Sequence, residues 1–317
     1  MKSSKWRTVA TTAGLLSGLA LATPAAALQC GDTIGPNVSG TLSGSIVCDD
    51  VAHGLTIVGP ANLTLDGLYI FCQDLNQNGT TPSSGIRILG RNVRIDGTEQ
   101  SGGSVIFCRT GVEVAGEGRH KVEDVSAGDG SGTGFHVTSD DNTLKGNHAI
   151  NNSIGFSILG NDNTLRDNTA EDHQYYGFNS RGDGTELKGN VSLGAEYYGF
   201  LLFEASRQRM TNNYASNCRN AGFRVERVED SSFRRNSSVQ NRGIGIDVQN
   251  GQRQTWVNNV VRENQSWGIF MESNAVRLTN NEVVGNASTD IVERATDCGT
   301  NIWRRNVFGV ANRTCVE

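Results

Sequence analysis

The sequence predicts an all-β solenoid of stacked, repeating coils, and three observations lead to this prediction. A glycine followed by an apolar residue recurs at steps of 21 to 23 residues, at Gly134-Phe135, Gly155-Phe156, Gly177-Phe178, Gly199-Phe200, Gly222-Phe223, Gly245-Ile246 and Gly268-Ile269. A column of asparagines recurs in phase with it, at Asn147, Asn168, Asn190, Asn213, Asn236, Asn259, Asn281 and Asn306. No segment carries a helical period of useful length. A fixed period in this range is typical of stacked identical units.

Each repeat is predicted to form one coil of three short strands. In the repeat from Ile154 to His173, residues 155–159 mostly alternate apolar and polar side chains, which indicates a half-buried strand. Residues 160–162 form a turn, and 163–167 and 169–173 form two further strands. We count about eleven such coils, stacked in parallel with a spacing of about 4.8 Å.

The predicted core is a set of apolar columns in the aligned repeats. The residue after each repeat glycine is always Phe or Ile. The position three residues before each ladder asparagine is also apolar throughout: Leu144, Leu165, Leu187, Met210, Phe233, Trp256, Leu278 and Trp303. The asparagines are expected at sharp bends, where their amides can bond to the coils above and below.

The N-terminal segment 1–27 is predicted to be a signal peptide. Lys2, Lys5 and Arg7 form a basic start, Ala13 to Leu21 form a short apolar core, and small residues precede Leu28. We therefore expect a secreted or periplasmic product. The apolar run is too short to span a bilayer, so no membrane insertion is expected. Residues 28–53 are assigned to an N-terminal cap, and residues 54–317 to the solenoid with its C-terminal cap.

Seven cysteines in an exported chain indicate disulfides with one thiol left over. Cys72 and Cys108 end similar strings that fall one repeat apart once the insertion between them is discounted, so stacking would make them neighbours. The terminal cysteines would close the two ends. The expected pairs are Cys30 with Cys48, Cys72 with Cys108, and Cys298 with Cys315. Cys218 occupies a repeat column that otherwise holds mostly asparagines, and we interpret it as a buried free thiol.

The charge of the chain argues against a nucleic-acid partner. The formal net charge is −5, and loss of the three basic residues of the leader moves it to about −8. Nucleic acid requires a basic surface. The charge also argues mildly against an acidic polymer, unless arginines are concentrated locally or a cation bridges. We expect a monomer.

The glycine strands and the asparagine column resemble the right-handed parallel β-helix family, which includes pectate lyases, alginate lyases and mannuronan C5-epimerases. The NosD-type repeat branch is most similar, and the resemblance covers residues 54 to about 310. It implies a polysaccharide or glycan partner. The epimerase signature continues from Tyr-Gly-Phe into Asp-Pro-His, whereas here Tyr176-Gly177-Phe178 is followed by Asn179-Ser180-Arg181. This departure argues against epimerisation at that site.

By the same resemblance, the strand that begins at each glycine forms the floor of the substrate groove. Its outward residues lie two and four positions after the glycine. Elimination from a uronate requires a cation for the carboxylate, a base and an acid. The candidate catalytic residues are Arg181, Arg224, Glu226, Asp247 and the nearby His173. The alternative interpretation is a solvated sheet face with mixed charges.

Four of the six tyrosines stand in two consecutive repeats. Stacking would place Tyr175 beside Tyr197 on the outside, where an aromatic pair can pack on the C–H surface of a sugar ring. We assign Tyr175, Tyr197, Asn179 and Glu204 to substrate binding. The alternative is cross-strand aromatic pairing that only stabilises the coil.

We expect no metal and no cofactor, with calcium considered only for a lyase. Three function classes stay open at this point. The first is carbohydrate engagement with uronate lyase activity. The second is a non-catalytic extracellular binding or structural protein, which short turns between the coils favour. The third is periplasmic copper handling, which the NosD resemblance implies. Five scattered histidines and three methionines are poor material for a soft-metal site.

Overall fold

The computed structural model describes residues 27–49, 51–73, 83–98 and 102–316. The predicted signal peptide, apart from residue 27, lies outside these ranges. Within them, the chain winds into a right-handed parallel solenoid in which each coil gives one strand to each of three parallel sheets. One 3₁₀ turn, Thr296–Cys298, is the helical element of the described residues.

The three sheets each contain twelve strands in the described residues. Sheet 1 consists of β1 Thr33–Ile34, β4 His53–Val58, β7 Ser84–Leu89, β10 Thr110–Val114, β13 Thr133–Val137, β16 Ile154–Ile158, β19 Tyr176–Ser180, β22 Tyr198–Phe203, β25 Ala221–Glu226, β28 Ile244–Gln252, β31 Ile269–Asn274 and β34 Ile291–Glu293. Sheet 2 consists of β2 Ser39–Thr41, β5 Ala61–Thr64, β8 Val93–Asp96, β11 Lys121–Glu123, β14 Thr143–Lys145, β17 Thr164–Arg166, β20 Glu186–Lys188, β23 Arg209–Thr211, β26 Ser232–Arg234, β29 Thr255–Val257, β32 Arg277–Thr279 and β35 Ile302–Arg304. Sheet 3 consists of β3 Ile46–Cys48, β6 Tyr69–Cys72, β9 Gly103–Ile106, β12 Val125–Gly128, β15 His148–Ile150, β18 Thr169–Glu171, β21 Val191–Leu193, β24 Tyr214–Ser216, β27 Ser237–Val239, β30 Val260–Arg262, β33 Glu282–Val284 and β36 Val307–Phe308.

This arrangement confirms the predicted all-β parallel solenoid of about eleven coils. The strands β1 to β3, in the segment that the sequence assigned to a cap, pair in parallel with β4 to β6. They therefore add a short first coil. Sheet 1 holds the glycine strands, so the predicted groove face is the outer surface of sheet 1.

The core is the interior of the coil. The phenylalanines that follow the repeat glycines form one continuous stack, in which Phe156 and Phe178 lie 4.7 Å apart between ring centroids and within 4° of parallel. Each is fully buried, and burial of one such side chain stabilises the fold by about 1.5–3 kcal/mol. A second stack, of Phe233 on Trp256 at 3.9 Å between ring centroids, lies on the inner face of sheet 2.

The asparagine column is a buried hydrogen-bonded ladder. The Oδ1 atom of Asn190 accepts the backbone N–H and the side-chain amide of Asn168, each at 3.0 Å. Its own side-chain amide donates to the Leu165 carbonyl at 3.0 Å and to Asn213 Oδ1 at 3.0 Å. The residue ahead of each ladder position turns the chain through the left-handed region, as Asp167 does with φ of 55°. Asp, Asn and Gly tolerate that region best, which explains their frequency there.

The three predicted disulfides are present. Cys30–Cys48 and Cys298–Cys315 staple the two ends, with Cα atoms 5.3 Å and 5.9 Å apart. Cys72–Cys108 joins neighbouring coils at 4.8 Å. Cys218 is a buried free thiol, and burial raises its pKa to about 12. No helix in the described part of the chain is long and apolar enough to cross a membrane.

Candidate functional site

The outer face of sheet 1 carries three files of side chains that run along the solenoid axis. The central file lies two residues after each repeat glycine and contains Ser157, Asn179, Leu201, Arg224, Asp247 and Phe270. One flanking file includes the stacked pair Tyr176 and Tyr198. The other, four residues after the glycine, includes Arg181, Phe203 and Glu226. We call this surface the sheet 1 face.

The central file points outward as predicted, but it is much less accessible than the sequence suggests. Asn179 is 6 % exposed and its neighbour Leu201 is 5 % exposed. Large side chains flank both of them, Tyr176 and Tyr198 before them and Phe203 after them in the strands. The Oδ1 atom of Asn179 is buried and has no hydrogen-bond partner among the described residues. Binding of a substrate by Asn179 therefore requires a flanking side chain to move.

Arg224, Glu226 and Asp247 are brought together, as the sequence proposes. The Arg224 guanidinium contacts the Asp247 carboxylate through Nη1. Its Nη2 atom donates to Glu226 Oε2 at 2.7 Å and to Gln249 Oε1 at 2.9 Å. Gln249 in turn donates to Asp247 Oδ1 at 3.1 Å. Gln249 was not singled out from the sequence, because an uncharged amide in a column of mixed residues carries no signal of its own.

The electrostatics of this cluster follow from its burial. Burial raises the pKa of Asp247, and the adjacent Arg224 opposes that shift without cancelling it. Burial lowers the pKa of Arg224, but its hydrogen bond to Glu226 and the charge of Asp247 outweigh this, so the net shift is upward. Burial also raises the pKa of Tyr198, with Arg224 opposing and Asp247 adding to the shift. Tyr198 lies on β22, the strand next to β25, which carries Arg224.

Arg181 is separate from that cluster. Its guanidinium lies over the Phe203 ring, with Cζ 4.9 Å from the ring centroid, and Arg227 approaches the same ring at 5.2 Å. Arg227 is paired with Glu204, a predicted substrate-binding residue that is about half exposed. Within the described ranges, Arg181 makes no ion pair, so it is an exposed cation held by an aromatic ring.

The tyrosine pair lies where the sequence places it. Tyr175 and Tyr197 are 40 % and 44 % exposed, and their rings are 5.6 Å apart between centroids. Behind them, Tyr176 and Tyr198 are half-buried and stack at 5.8 Å, within 3° of parallel. Four tyrosines from two adjacent coils thus form one aromatic surface at the corner between sheets 3 and 1.

His173, proposed as a catalytic residue, lies inside the coil. It is 1 % exposed, and its Nδ1 atom accepts the backbone N–H of Asn152 at 3.1 Å. Burial, in the first place, lowers its pKa to about 4. It therefore occupies a position in a second internal ladder, in the column of Asn152 and Asn241, and is not brought to the sheet 1 face. A shallow cavity of about 480 Å³ opens in front of this column and is lined by polar residues that include Asp172, Gln174 and Glu196.

No group of three or more His, Cys, Asp or Glu side chains in the described residues is placed to hold a metal ion. Among the described residues of the sheet 1 face, Glu113, Glu226 and Asp247 each lie beside an arginine. The chemistry of this face is therefore that of arginine, carboxylate and tyrosine side chains.

Comparisons with known proteins agree with the architecture. The family described as Right handed beta helix region matches residues 36–192 and 155–314. The A-module of mannuronan C-5 epimerase AlgE4 from Azotobacter vinelandii is similar with 17 % identity over 89 % of this chain and 87 % of that chain, at a TM-score of 0.58. A double mutant of the periplasmic alginate epimerase AlgG reaches 0.67, with 15 % identity over 86 % of this chain and 77 % of that chain.

The alginate lyase AlyF-OU02, solved in complex with G6, is similar with a TM-score of 0.59 and 14 % identity over 92 % of this chain and 82 % of that chain. No curated protein sequence matches significantly. At these identities the likeness to solved structures concerns the fold. The family matches together span most of the solenoid, and the glycine strands and asparagine ladder run through both of them. The chain belongs to the right-handed β-helix family.

Proposed function

We propose that this protein binds a polysaccharide along the sheet 1 face, with the Tyr175–Tyr197 pair as the platform for a sugar ring. The observation that carries the proposal is the exposure of both rings, side by side on adjacent coils. Aromatic faces pack favourably on the apolar C–H surface of a sugar. An aromatic pair that only stabilised the coil could be buried, so the exposure of these two rings favours a ligand. Tyr175 and Arg181 flank the strand β19 on opposite sides, six residues or about 20 Å apart, so the ligand would have to be a chain of several sugars that crosses the sheet 1 face.

The proposed ligand is acidic. Arg181 lies four residues after the glycine of the strand that also carries Tyr176, and it is stacked on Phe203. Its guanidinium has all its donors available for a carboxylate, and such charge-assisted pairs are strong and directional. The names of the solved neighbours give mannuronan for one and alginate for the other two as the polymer acted on, and both are acidic polysaccharides. We therefore propose a uronate-containing polysaccharide as the ligand class.

Elimination from the uronate is the second candidate function. The observation that favours it is the position of Tyr198 on β22, the strand next to β25, which carries Arg224, and two strands from β28, which carries Asp247. In such a reaction Arg181 would neutralise the carboxylate. Ionised Tyr198 would take the C5 proton as the C4–oxygen bond breaks and would return that proton to the leaving oxygen. Arg224 is saturated by Glu226, Asp247 and Gln249, so its role would be to position Tyr198. Because burial raises the pKa of Tyr198, we expect such elimination to require alkaline pH, where the hydroxyl is ionised.

We further propose that the protein acts outside the cytoplasm. Three disulfides in one chain are typical of an oxidising compartment. The predicted leader at residues 1–27 supports the same location.

The test is a panel of alginate, polygalacturonate and neutral glucan, with binding measured by calorimetry and elimination followed by absorbance of the unsaturated product. The double variant Y175A/Y197A is compared with Y69A, which removes an exposed tyrosine of sheet 3 that is 43 % exposed. We expect the double variant to lose about tenfold or more in affinity for the acidic polymers, and Y69A to bind normally. Equal affinity in all three proteins would overturn the platform. Binding of the polymer without formation of the unsaturated product would support the binding function and contradict the elimination function.

A further inference from the structure

A second group of polar and charged side chains lies on the same face, near its N-terminal end. His53 Nδ1 is 2.8 Å from Ser84 Oγ, and Ser84 Oγ is 2.9 Å from Glu113 Oε2. Arg87 Nη1 is 3.1 Å from His53 Nε2, and Arg87 Nε is 3.4 Å from Glu113 Oε2. These four residues from β4, β7 and β10 form a closed ring. His136 follows Glu113 in the same file, on β13.

The direction of each hydrogen bond in the ring is fixed by chemistry. Arginine can only donate, so His53 Nε2 accepts from Arg87, and the imidazole proton is on Nδ1. That N–H donates to Ser84 Oγ, and the serine hydroxyl donates to Glu113. Ser84 is fully buried, and the histidine offers it a proton instead of a lone pair. The ring is therefore not arranged to activate Ser84 as a nucleophile.

The ring requires a neutral His53. A proton on Nε2 would face the Arg87 guanidinium at 3.1 Å with no acceptor between them. Burial and then the charge of Arg87 lower the pKa of His53, while Glu113 raises it. Burial also lowers the pKa of His136, and Glu113 again opposes the shift. On acidification both rings become cationic, and His53 and Arg87 repel each other.

Within the described ranges, the sheet 1 strands next to β4 and β13 bring no titratable group to the two histidines besides Arg87 and Glu113. The strand β1, Thr33–Ile34, packs on β4 and has none, and β16, Ile154–Ile158, packs on β13 and has none. With Arg87 positive and Glu113 negative, the charges of these two side chains cancel. Arg87 has 36 % and Glu113 23 % of its side chain exposed, so the charge of the group reaches the surface.

We propose that His53, Arg87 and His136 form an acid-activated subsite for the carboxylate or sulfate groups of an anionic polysaccharide. Protonation of His53 frees the Arg87 guanidinium from His53 and turns it to the ligand, while His136 supplies a second cation two strands along the central file, beyond Glu113. This inference rests on the proposed binding of a glycan along the sheet 1 face. Arg87 and Arg224 are six inter-strand steps apart in the central file, or about 29 Å, so one chain would span both regions.

The test compares binding of polygalacturonate, dextran sulfate and neutral dextran at about pH 7.5 and about pH 5. We expect both anionic polymers to bind about tenfold or more tightly at the lower pH, and neutral dextran to show no such gain. The key variant is H53Q, whose amide stays uncharged and can still accept from Arg87 and donate to Ser84. It should lose most of the gain. The control is H148Q, which removes a histidine of sheet 3 that lies 3.3 Å from Glu171. This variant should keep the full gain in affinity at the lower pH.

A second readout needs no polysaccharide. NMR signals of the His53 ring and the Arg87 guanidinium should change together as the pH falls in the unliganded protein. An Arg87 signal that stays constant while His53 titrates would overturn the proposal, as would an acid gain that survives in H53Q. Binding at neutral pH without any acid gain would remove this subsite and leave the proposed function standing. A variant Y175A/Y197A that loses binding at neutral pH and still binds more tightly at the lower pH would support the subsite as a binding element separate from the tyrosine pair.

Discussion

The Nδ1 atom of His173 accepts the backbone N–H of Asn152 from the neighbouring coil, at 3.1 Å, where other coils use an asparagine oxygen. The ring replaces an amide in an internal ladder, and this exchange makes one coil of the solenoid sensitive to acid. Asparagine cannot gain a proton in this range, whereas a protonated imidazole can no longer accept at Nδ1.

The first prediction concerns this acid sensitivity. Burial is the main cause that lowers the pKa of His173 from 6.5 to about 4, so below pH 6.5 the unfolded chain binds a proton that the folded chain refuses. The stability conferred by the neutral ring is complete above pH 6.5 and is lost as the pH falls towards 4. The loss should amount to about 3 kcal/mol. Urea unfolding at both ends of this window should show a weaker dependence of the unfolding free energy on pH in H173N. H148N removes only the smallest of the causes that act on the pKa of His173 and should keep a dependence close to that of the wild type. Identical slopes in the two variants would contradict this account.

The second prediction concerns the main ladder. The variant N190A removes the acceptor of two bonds from Asn168 and the donor of two others. Because the former hydrogen-bond partners of the Asn190 side chain stay buried without a partner, we expect a loss of about 2–4 kcal/mol in the free energy of unfolding. The matched control is N62A, an exposed strand asparagine that makes one side-chain contact at 3.3 Å, with an expected change below about 0.5 kcal/mol. Denaturant curves of both variants give the comparison, and similar values would argue against a structural ladder.

The third prediction concerns the Arg224 cluster. Asp247 has only 7 % of its side chain exposed, so R224L leaves a buried carboxylate without its cation. We expect a loss of about 3–5 kcal/mol, and recovery of much of it in R224L/D247L, because the desolvation penalty disappears with the charge. The exposed pair of Arg219 with Glu196, at 3.0 Å, serves as the control, and R219L should change stability by less than about 1 kcal/mol. A double variant that is less stable than R224L would contradict the interpretation.

The fourth prediction concerns Arg181. In R181Q the stack on Phe203 loses its charge, and the affinity for uronate polymers should fall about tenfold while that for a neutral glucan is unchanged. R207Q removes an exposed arginine that is 3.8 Å from Asp183 and should bind as the wild type does. Calorimetry on both polymers decides the point. Equal losses in the two variants would indicate a general effect of net charge.

The architecture could be predicted because the same residue types recur at the same positions in every coil. The spacing of Asn168 and Asn190 predicted their contact, and the position of Cys72 and Cys108 predicted their bond. The period of two along a strand also identified which side chains of sheet 1 point outward. It could not indicate that Asn179 is almost covered, because that depends on the size of the side chains that flank it in its own and the neighbouring strand.

Two features of the sheet 1 face and its surroundings could not be predicted from the sequence, for related reasons. His173 was near the tyrosine pair in sequence, but its repeat column, shared with Asn152, points into the coil. The ring of His53, Ser84 and Glu113 joins residues that are about 30 positions apart across an irregular, inserted part of the chain. The aligned repeats place Arg87 and Glu113 in one file, but they do not reveal a closed network with a histidine of the preceding coil.

A crystal structure of the protein with a bound alginate oligosaccharide tests the central claim most directly. We predict a sugar ring packed against Tyr175 and Tyr197, with a carboxylate of the ligand within hydrogen-bonding distance of Arg181. An oligosaccharide bound elsewhere, for example in the cavity beside Asp172 and Glu196, would contradict the account.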